Sequence, residues 1–348
     1  MSSPEQIVQC LSGSDGGPLL AWFDRNKRDL PWRRTKDPYS IWVSEVMLQQ
    51  TQVSTVVPYW ISWMMIFPTV EALASADEQD VLSIWQGLGY YRRCRQLLQG
   101  ARWVVENGMP TTAREWARVP GIGKYTAGAI ASIANQEASA VVDGNVERVY
   151  ARLTGDNSEG KVFKEAAWSW AEKHLFQKRP GDWNQALMEL GATICKPVAP
   201  KCKECPLSDQ CVGLHSWRLS ELPAKPKKVR TVKLRHAVWV PLFDGRFGVR
   251  QIPAGQWWEG MWEFPRVKSD GTLEPAGLRN IVGPGWPESL GIVNHVVTNH
   301  KIAIEASFVR CESASDTLRW VSRDELDSLP MPAPQRRILK IVLAQLGL

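Results

Sequence analysis

The 348-residue chain is long enough for about two or three domains of ordinary size. Its seven cysteines are an odd number, and Cys10, Cys94 and Cys311 lie far apart without a pairing pattern, which argues against a disulfide-stapled secreted protein and favours a reducing cytosol. The net charge of +6 permits a polyanionic partner. Residues 1–14 carry no signal-peptide pattern. The apolar stretch at residues 53–67 is too short and too often interrupted by polar residues to span a bilayer.

Residues 19–215 are predicted to be helical. Apolar residues recur there every three or four positions, and Gly or Pro marks the breaks, so we expect roughly ten short helices. Asp77-Glu78 is expected to open one helix, and Thr111-Thr112 with Glu115 resembles a capping box. This part of the chain is therefore expected to be all-α.

A basic linker is predicted at residues 217–235, where the composition changes abruptly. It is either a solvated tether or a contact for nearby phosphates. Its six basic residues are accompanied by no acid between Pro223 and Arg235, and they are Lys225, Lys227, Lys228, Arg230, Lys233 and Arg235.

The segment after the linker has a β pattern. His236–Phe243 and Arg246–Gln251 are predicted to be strands joined by Asp244-Gly245, a hairpin-turn sequence. A further strand is expected at Ile302–Val309 and a closing helix at Pro334–Leu346. The second domain is therefore predicted to be α+β.

The glycines Gly121 and Gly123 stand one residue apart between two predicted helices. Such a turn lets backbone amides at a helix N-terminus face an anion without obstruction by side chains, so a phosphate would fit there. On this spacing alone, an ordinary tight turn is equally consistent.

Four cysteines follow the frame C-x6-C-x2-C-x5-C, a spacing that core packing does not require. Four thiolates so close in sequence can hold a structural zinc ion or an iron–sulfur cluster, and the spacing alone does not choose between them. Disulfides are not expected in a reducing cytosol. The four are Cys195, Cys202, Cys205 and Cys211.

Two carboxylates, Glu45 and Asp143, lie in different local settings. Carboxyl groups in different environments can divide the tasks of a proton donor and a stabilising anion. Glu45 lies among apolar residues, where desolvation would raise its pKa. Local sequence alone favours an exposed or paired Glu45 and a plain N-cap role for Asp143.

The motifs together resemble those of the A/G-specific adenine DNA glycosylases (the MutY family) of the endonuclease III-like superfamily. The run from Val119 to Ala131 is similar to a helix-hairpin-helix element, and the four cysteines match as well. The other matching segments, in chain order, are Leu30–Arg34, Trp42–Gln52, Gly87–Arg92, Val142–Val146 and Asn184–Gly191.

This resemblance implies a multidomain protein. An all-α helix-hairpin-helix glycosylase region with an iron–sulfur cluster loop would be followed by an α+β Nudix-like domain. The implied parts are a helical catalytic region at 1–216 (a six-helix subdomain at about 30–136 and an iron–sulfur subdomain from 1–29 plus 137–216), the linker at 217–235, and the Nudix-like 8-oxoguanine recognition domain at 236–348.

By the same resemblance, Glu45 protonates adenine at N7 and later handles the water nucleophile, while Asp143 stabilises the cationic or covalent sugar intermediate. Asn145 and Tyr125 would orient these groups. Bifunctional relatives carry a lysine at the position of Tyr125, and its amine forms a Schiff base with the sugar. The protein is therefore expected to be monofunctional, although a packed aromatic is the ordinary alternative for Tyr125.

The resemblance also implies binding residues, with core packing as the alternative for Trp32 and Leu48. The adenine pocket would comprise Trp32, Arg33, Leu48 and Gln185, with Arg28 nearby. Contacts with DNA are expected from Gln50, Thr51, Leu88, Tyr90, Gly121, Gly123 and Lys124. The four cysteines would hold a 4Fe–4S cluster that positions DNA and takes no part in the chemistry.

In the Nudix-like domain, Gly260–Pro265 is the best match, and residues 275–290 offer only Glu288 as a metal-binding glutamate. Pyrophosphate hydrolysis is therefore not expected. The family reads 8-oxoguanine with a Phe-Ser-His sequence, of which only His300 is matched here, with Thr298 and Asn299 at the other two positions.

The resemblance thus implies an enzyme that removes adenine mispaired with 8-oxoguanine or guanine. Its partner would be double-stranded DNA, and we expect a monomer in the cytoplasm, associated with the nucleoid if the cell is a bacterium, with no membrane contact. The alternatives are a bifunctional glycosylase and lyase for damaged pyrimidines, and a non-catalytic DNA-binding protein.

Overall fold

A computed structural model describes residues 15–225 and 230–347 of the chain. The predicted absence of a signal sequence in residues 1–14 and the linker residues Lys227 and Lys228 lie outside the described residues. The described residues form two compact units: residues 15–75 with 96–225, and residues 76–95 with 230–347.

The helical prediction for the first part of the chain is confirmed, with twelve α-helices among its described residues rather than about ten. The extra helices are short, such as α7, whose capping residue satisfies one of its first amides. The helices are α1 (Gly17–Asn26), α2 (Pro38–Leu48), α3 (Val53–Ile66), α4 (Val70–Ala74), α5 (Glu78–Trp85), α6 (Tyr91–Asn107), α7 (Ala113–Trp116), α8 (Lys124–Asn135), α9 (Gly144–Thr154), α10 (Gly160–Lys173), α11 (Pro180–Thr193) and α12 (Val212–His215).

The predicted helix starts are confirmed as well. The Asp77 side chain caps α5, and Thr112 with Glu115 makes a complete capping box at α7. None of the helices in the described ranges is long and apolar enough to cross a membrane.

Packing within the first unit brings five helices together. Helix α2 packs on α8, and α11 packs on α1, α8 and α9. Gly181 in α11 makes the contact with α8 possible, because a Cβ there would lie 2.4 Å from the carbonyl oxygen of Ser132. A buried core of aliphatic and aromatic side chains from α1, α9, α10 and α11 supports this arrangement.

The second unit contains a mixed sheet with strand order β3-β2-β1-β6-β5, which confirms the α+β prediction. Strands β1 and β6 are parallel and lie at its centre. The strands are β1 (Val232–Phe243), β2 (Arg246–Gln251), β3 (Trp262–Glu263), β4 (Arg266–Lys268), β5 (Gly285–Val297), β6 (His300–Cys311) and β7 (Arg319–Val321), and the helices are α13 (Ala276–Val282), α14 (Arg323–Ser328) and α15 (Ala333–Leu346).

The predicted hairpin between β1 and β2 is confirmed, with both Asp244 and Gly245 at positive φ. The start of β1 was predicted wrongly, because pairing with β6 extends the strand back to Val232, into the predicted linker. Strand β5 was not predicted, since glycines and a proline interrupt its sequence and long-range pairing with β6 forms it.

Candidate active site and DNA-contacting residues

A cavity of about 530 Å³ opens in the first unit where the short helix at Pro31–Arg33 meets α2, α8, α9 and α11. It gathers every residue for which the sequence predicted a catalytic or adenine-binding role. Those residues and two predicted DNA contacts line it: Arg28, Trp32, Arg33, Glu45, Leu48, Gln50, Thr51, Tyr125, Asp143, Asn145 and Gln185.

Glu45 lies on the buried helix α2 and is only 6 % exposed. The Tyr125 hydroxyl donates a hydrogen bond to its Oε2 over 2.9 Å. Burial raises the pKa of Glu45 to about 7; the Tyr125 hydrogen bond and the charge of Arg33 oppose the rise, and the charge of Asp143 adds to it. The alternative of an exposed Glu45 is therefore wrong, and this carboxyl can hold a proton near neutral pH.

Tyr125 is the second residue of α8 and joins Glu45 to α11. Its hydroxyl oxygen lies 3.1 Å from Sδ of Met188 as well as contacting the carboxylate. Burial, together with the negative charges of Glu45 and Asp143, raises the pKa of Tyr125 well above its usual value. The phenol therefore stays neutral and remains a hydrogen-bond donor.

Asp143 is the N-cap of α9 and also lines the cavity. Its Oδ1 accepts hydrogen bonds from the backbone amides of Asn145 and Val146, at 2.9 and 2.8 Å. Its Oδ2 accepts one from the Asn145 side-chain amide at 2.8 Å. The N-cap alternative is thus correct, and the same hydrogen bonds hold the side chain of Asp143 in place at the edge of the cavity.

Arg148 supports this arrangement and was missed from the sequence. Its guanidinium donates to Oδ1 of Asn145 and to the carbonyl of Gly191, both at 2.9 Å, and to the carbonyl of Cys195 at 2.7 Å. It thereby ties the residue that holds Asp143 to the start of the cysteine loop. Its position three residues after Asn145 on one helix was the available signal.

Glu189 is a second residue that the sequence reasoning missed. It is 1 % exposed and forms ion pairs with Arg28 at 2.7 Å and Arg33 at 2.9 Å. Burial alone would raise the pKa of Glu189, but the hydrogen bonds and charges of the two arginines lower it overall. Arg33 also donates to Oε1 of Gln185 at 3.2 Å, so the buried carboxylate fixes the polar wall of the cavity.

The glycine turn before α8 has the geometry expected of an anion site. Gly121 adopts a φ of 82°, and Gly123 caps α8 without any side-chain bond. A Cβ at Gly123 would meet nothing within 4 Å, so the space before these amides is open. Lys124 beside it contacts Glu172 at 3.1 Å and lies 3.8 Å above the Trp168 ring.

The remaining predicted DNA contacts belong to the second unit. Leu88 is buried, whereas Tyr90 is 47 % exposed at a φ of 49°. Thr298 and Asn299 form the two-residue turn between β5 and β6, and the Asn299 amide donates to the carbonyl of Arg230 at 3.0 Å. The ring of His300, next to that turn, packs against Trp257 at 5.0 Å.

The four cysteines of the loop after α11 are free thiols that influence one another. Burial raises the pKa of Cys205 to about 12, and the negative charges of the other three cysteines as thiolates add to the rise. Arg152 donates to Sγ of Cys195 at 3.4 Å. Within the described ranges, no three His, Cys, Asp or Glu side chains are grouped to hold a single metal ion.

Comparisons with known proteins give matches to both parts of the chain. Residues 43–173 match the model of the family described as HhH-GPD superfamily base excision DNA repair protein, and residues 236–341 match that of the NUDIX domain. The adenine DNA glycosylase of Rattus norvegicus is 36 % identical over 93 % of this chain and 77 % of its own length. That of Buchnera aphidicola (Schizaphis graminum) is 32 % identical over 93 % of this chain and 97 % of its own.

Among solved structures, a thermostable thymine-DNA glycosylase is 26 % identical, with a TM-score of 0.55 over 62 % of this chain and 100 % of its own. A non-covalent endonuclease III–DNA complex has a TM-score of 0.53 at 20 % identity, over 62 % of this chain and 99 % of the matched one. The second likeness concerns the fold alone. The predicted fold class, a helix-hairpin-helix region followed by a Nudix-like domain, is confirmed.

Proposed function

Because the chain belongs to the adenine DNA glycosylase family and is thus a base excision repair enzyme, we propose that it removes adenine mispaired with 8-oxoguanine or guanine in duplex DNA. The observation that carries the proposal is the pair of carboxyl groups on one cavity. Glu45 is buried with a pKa raised to about 7, and Asp143 is a hydrogen-bonded anion. One group can donate a proton, and the other can face the cationic sugar.

In the first step, the protonated carboxyl of Glu45 gives its proton to N7 of the flipped adenine. The bond between C1′ of the sugar and N9 of adenine then breaks, and its electron pair leaves with the neutral base. The sugar becomes cationic, and the carboxylate of Asp143 stabilises it or bonds to it. A water then attacks C1′ while the ionised Glu45 takes its proton.

Adenine would be held by the polar wall that Glu189 fixes. Because Arg33 engages Oε1 of Gln185, the amide NH2 of Gln185 is the group that would donate to an acceptor on the purine edge. Trp32 and Leu48 line the same cavity and would contact the base faces. An extruded base needs such a pocket, since it leaves the stack to react.

Recognition of the opposite base is proposed for the turn of Thr298, Asn299 and His300. Gln50, Thr51, Leu88 and Tyr90 would fill and surround the gap that the flipped adenine leaves. The backbone amides at Gly121 and Gly123, with Lys124, would bind a phosphate of the DNA. The protein would act as a monomer in the cytoplasm, at the nucleoid if the cell is a bacterium.

A 4Fe–4S cluster is proposed for Cys195, Cys202, Cys205 and Cys211. The donor set is four thiols, and the Arg152 guanidinium beside Sγ of Cys195 suits a site that carries negative charge. When bound, such a cluster would cross-link the loop and supply no step of base hydrolysis. Its protein contacts, including Arg148 at the Cys195 carbonyl, would support Asn145 and thereby Asp143.

The cluster proposal predicts about four iron and four acid-labile sulfide per chain. Cys202→Ala should lower both contents and weaken DNA binding, because the loop loses its cross-link. Cys311→Ala is the matched control, since Cys311 is a free thiol on β6. Elemental analysis that finds zinc without sulfide would contradict the cluster.

The proposed lack of lyase activity depends on Tyr125, a phenol with no amine to attack the sugar. The wild-type protein is expected to give no covalent DNA adduct on borohydride reduction. In Tyr125→Lys, the new amine would lie near Glu45 and should form a Schiff base that borohydride traps. Gel electrophoresis detects the adduct, and trapping in the wild type would show that the protein is bifunctional.

The released base tests the function itself. A duplex with adenine opposite 8-oxoguanine is incubated with excess protein, and the free base is identified by chromatography and mass. We expect adenine alone. Release of a pyrimidine, or of no base, would overturn the proposal.

A further inference from the structure

Gln79, near the start of α5, bonds to the Gly260–Pro265 segment with both ends of its amide. Its Oε1 accepts a hydrogen bond from the Trp262 indole at 2.9 Å, and its Nε2 donates to the Gly260 carbonyl at 3.1 Å. One side chain therefore clamps a helix from residues 76–95 to the Nudix-like part of the same unit.

Further contacts hold α5 and its flanks to that part. Arg95 is 16 % exposed on its side chain and lies between Glu78 at 3.3 Å and Glu259 at 3.5 Å. At the other end of the helix, Oε1 of Gln86 accepts a hydrogen bond from the backbone amide of Met331 at 3.3 Å. The helix is thus fixed along its length, with Gln79 making the two shortest of these bonds.

Helix α5 leads directly into the loop that carries Tyr90. The Trp85 indole donates to the Gly89 carbonyl at 3.0 Å, and the Arg93 guanidinium lies over the rings of both Trp85 and Tyr90. Tyr90 keeps a positive φ, an unusual state for a residue other than glycine. Because the loop is bonded to the end of α5, a shift of the helix moves Tyr90.

The clamp also connects to the turn between β5 and β6. Trp257 and Trp258 come just before Gly260, and their rings pack on His300 at 5.0 Å and His295 at 5.7 Å. These histidines flank the turn of Thr298 and Asn299. The turn is therefore joined to Tyr90 by these ring contacts, by the chain segment from Trp257 to Trp262, and by Gln79 on α5, the helix that leads into the loop of Tyr90.

We propose that Gln79 is a positioning residue that couples reading of the opposite base at the Thr298 turn to the placement of Tyr90 in the DNA. The coupling rests on the proposed function, since it needs a duplex with adenine opposite the base that is read. An interaction that the turn makes with 8-oxoguanine but not with guanine then favours the loop position in which adenine is removed. Coupling of this kind is a free energy shared by the two sites.

The test compares adenine opposite 8-oxoguanine with adenine opposite guanine in single-turnover rates and in binding affinity. Gln79→Leu keeps the volume and removes both hydrogen bonds, whereas Trp262→Phe removes one. We expect Gln79→Leu to lower the ratio of the two rates about tenfold, mainly by slowing the 8-oxoguanine duplex, and Trp262→Phe to lower it less. Gln345→Leu, an exposed change on α15 of the same unit, should keep the wild-type ratio.

The double variant should match Gln79→Leu, because the two residues share one bond. If Gln79→Leu slows both duplexes equally and lowers the melting temperature, Gln79 has only a structural role and the proposal is overturned. An unchanged ratio of the two rates would also overturn it. A wild type that releases no adenine would refute the proposed function instead. The ratio of binding affinities for the two duplexes would still test the coupling in that case.

Discussion

Glu45→Gln is expected to lower the single-turnover rate of adenine release by about 10² to 10⁴-fold. The amide keeps the size of the side chain and can still accept the Tyr125 hydrogen bond, but it has no proton to give to N7 of adenine. Rates are measured with excess protein on adenine opposite 8-oxoguanine. Glu106→Gln, an exposed change on α6, is the matched control and should keep the wild-type rate.

The pH dependence follows from the same group. Burial raises the pKa of Glu45 to about 7, so the wild-type rate should fall as pH rises through 7, because the acid is lost. Stability has the same sign: between pH 4.5 and 7 the folded chain binds more protons at this carboxyl than the unfolded chain, so rising pH destabilises the fold. Glu45→Gln should remove both effects.

A Glu45→Gln variant that binds the duplex, melts like the wild type and still releases adenine at the wild-type rate would refute the role of Glu45 as the acid. A large fall in DNA affinity would instead show that the substitution disturbs the cavity. Measuring the rate at saturating protein separates these two explanations, because weaker DNA binding then no longer affects the rate.

Asp143→Asn is expected to lower the rate by about 10² to 10³-fold while leaving the fold intact. Asparagine caps a helix about as well as aspartate does, so the bonds to the amides of Asn145 and Val146 can persist. What disappears is the negative charge that would face the cationic sugar, together with the hydrogen bond from the Asn145 side chain to Oδ2, because an amide has only one acceptor oxygen. Thermal melting and single-turnover rates are measured on the same preparation.

The comparison with Asp143→Ala separates the two roles of the residue. Alanine removes the cap as well as the charge, so this variant should lose about 0.5–2 kcal/mol of stability in addition to activity. Retention of the wild-type rate in Asp143→Asn would show that Asp143 is a cap only.

The sequence predicted which residues line the cavity better than it predicted the hydrogen bonds and ion pairs that hold them. Glu45 could be read from its apolar neighbours together with the family motifs, and the structure places it in a buried setting. For Asp143, the alternatives were a helix N-cap and a catalytic carboxylate. The observed geometry allows both roles, because the hydrogen bonds that cap the helix also orient the carboxylate. Arg148 and Glu189 were missed because both also bind partners far away in the chain. Their spacing from Asn145 and Gln185 nevertheless places each pair on one helix face.

The Nudix-like part was harder to predict for a physical reason. Glycines and a proline interrupt the sequence of strand β5, which forms by pairing with β6, and the same sheet extends β1 into the predicted linker. Residues 76–95, predicted to lie in the six-helix subdomain, form one compact unit with this sheet. Gln79 makes that contact with segments about 180 positions away in the chain, a distance that no local pattern spans.

The central claim is that this chain hydrolyses the glycosidic bond of mispaired adenine without cutting the strand. The most direct measurement incubates labelled duplexes that carry adenine opposite 8-oxoguanine, adenine opposite guanine, or an oxidised pyrimidine, and analyses the products with and without alkali. Cleavage that occurs only at adenine and only after alkali is the predicted result. Strand cleavage without alkali, or cleavage at the oxidised pyrimidine alone, would contradict it.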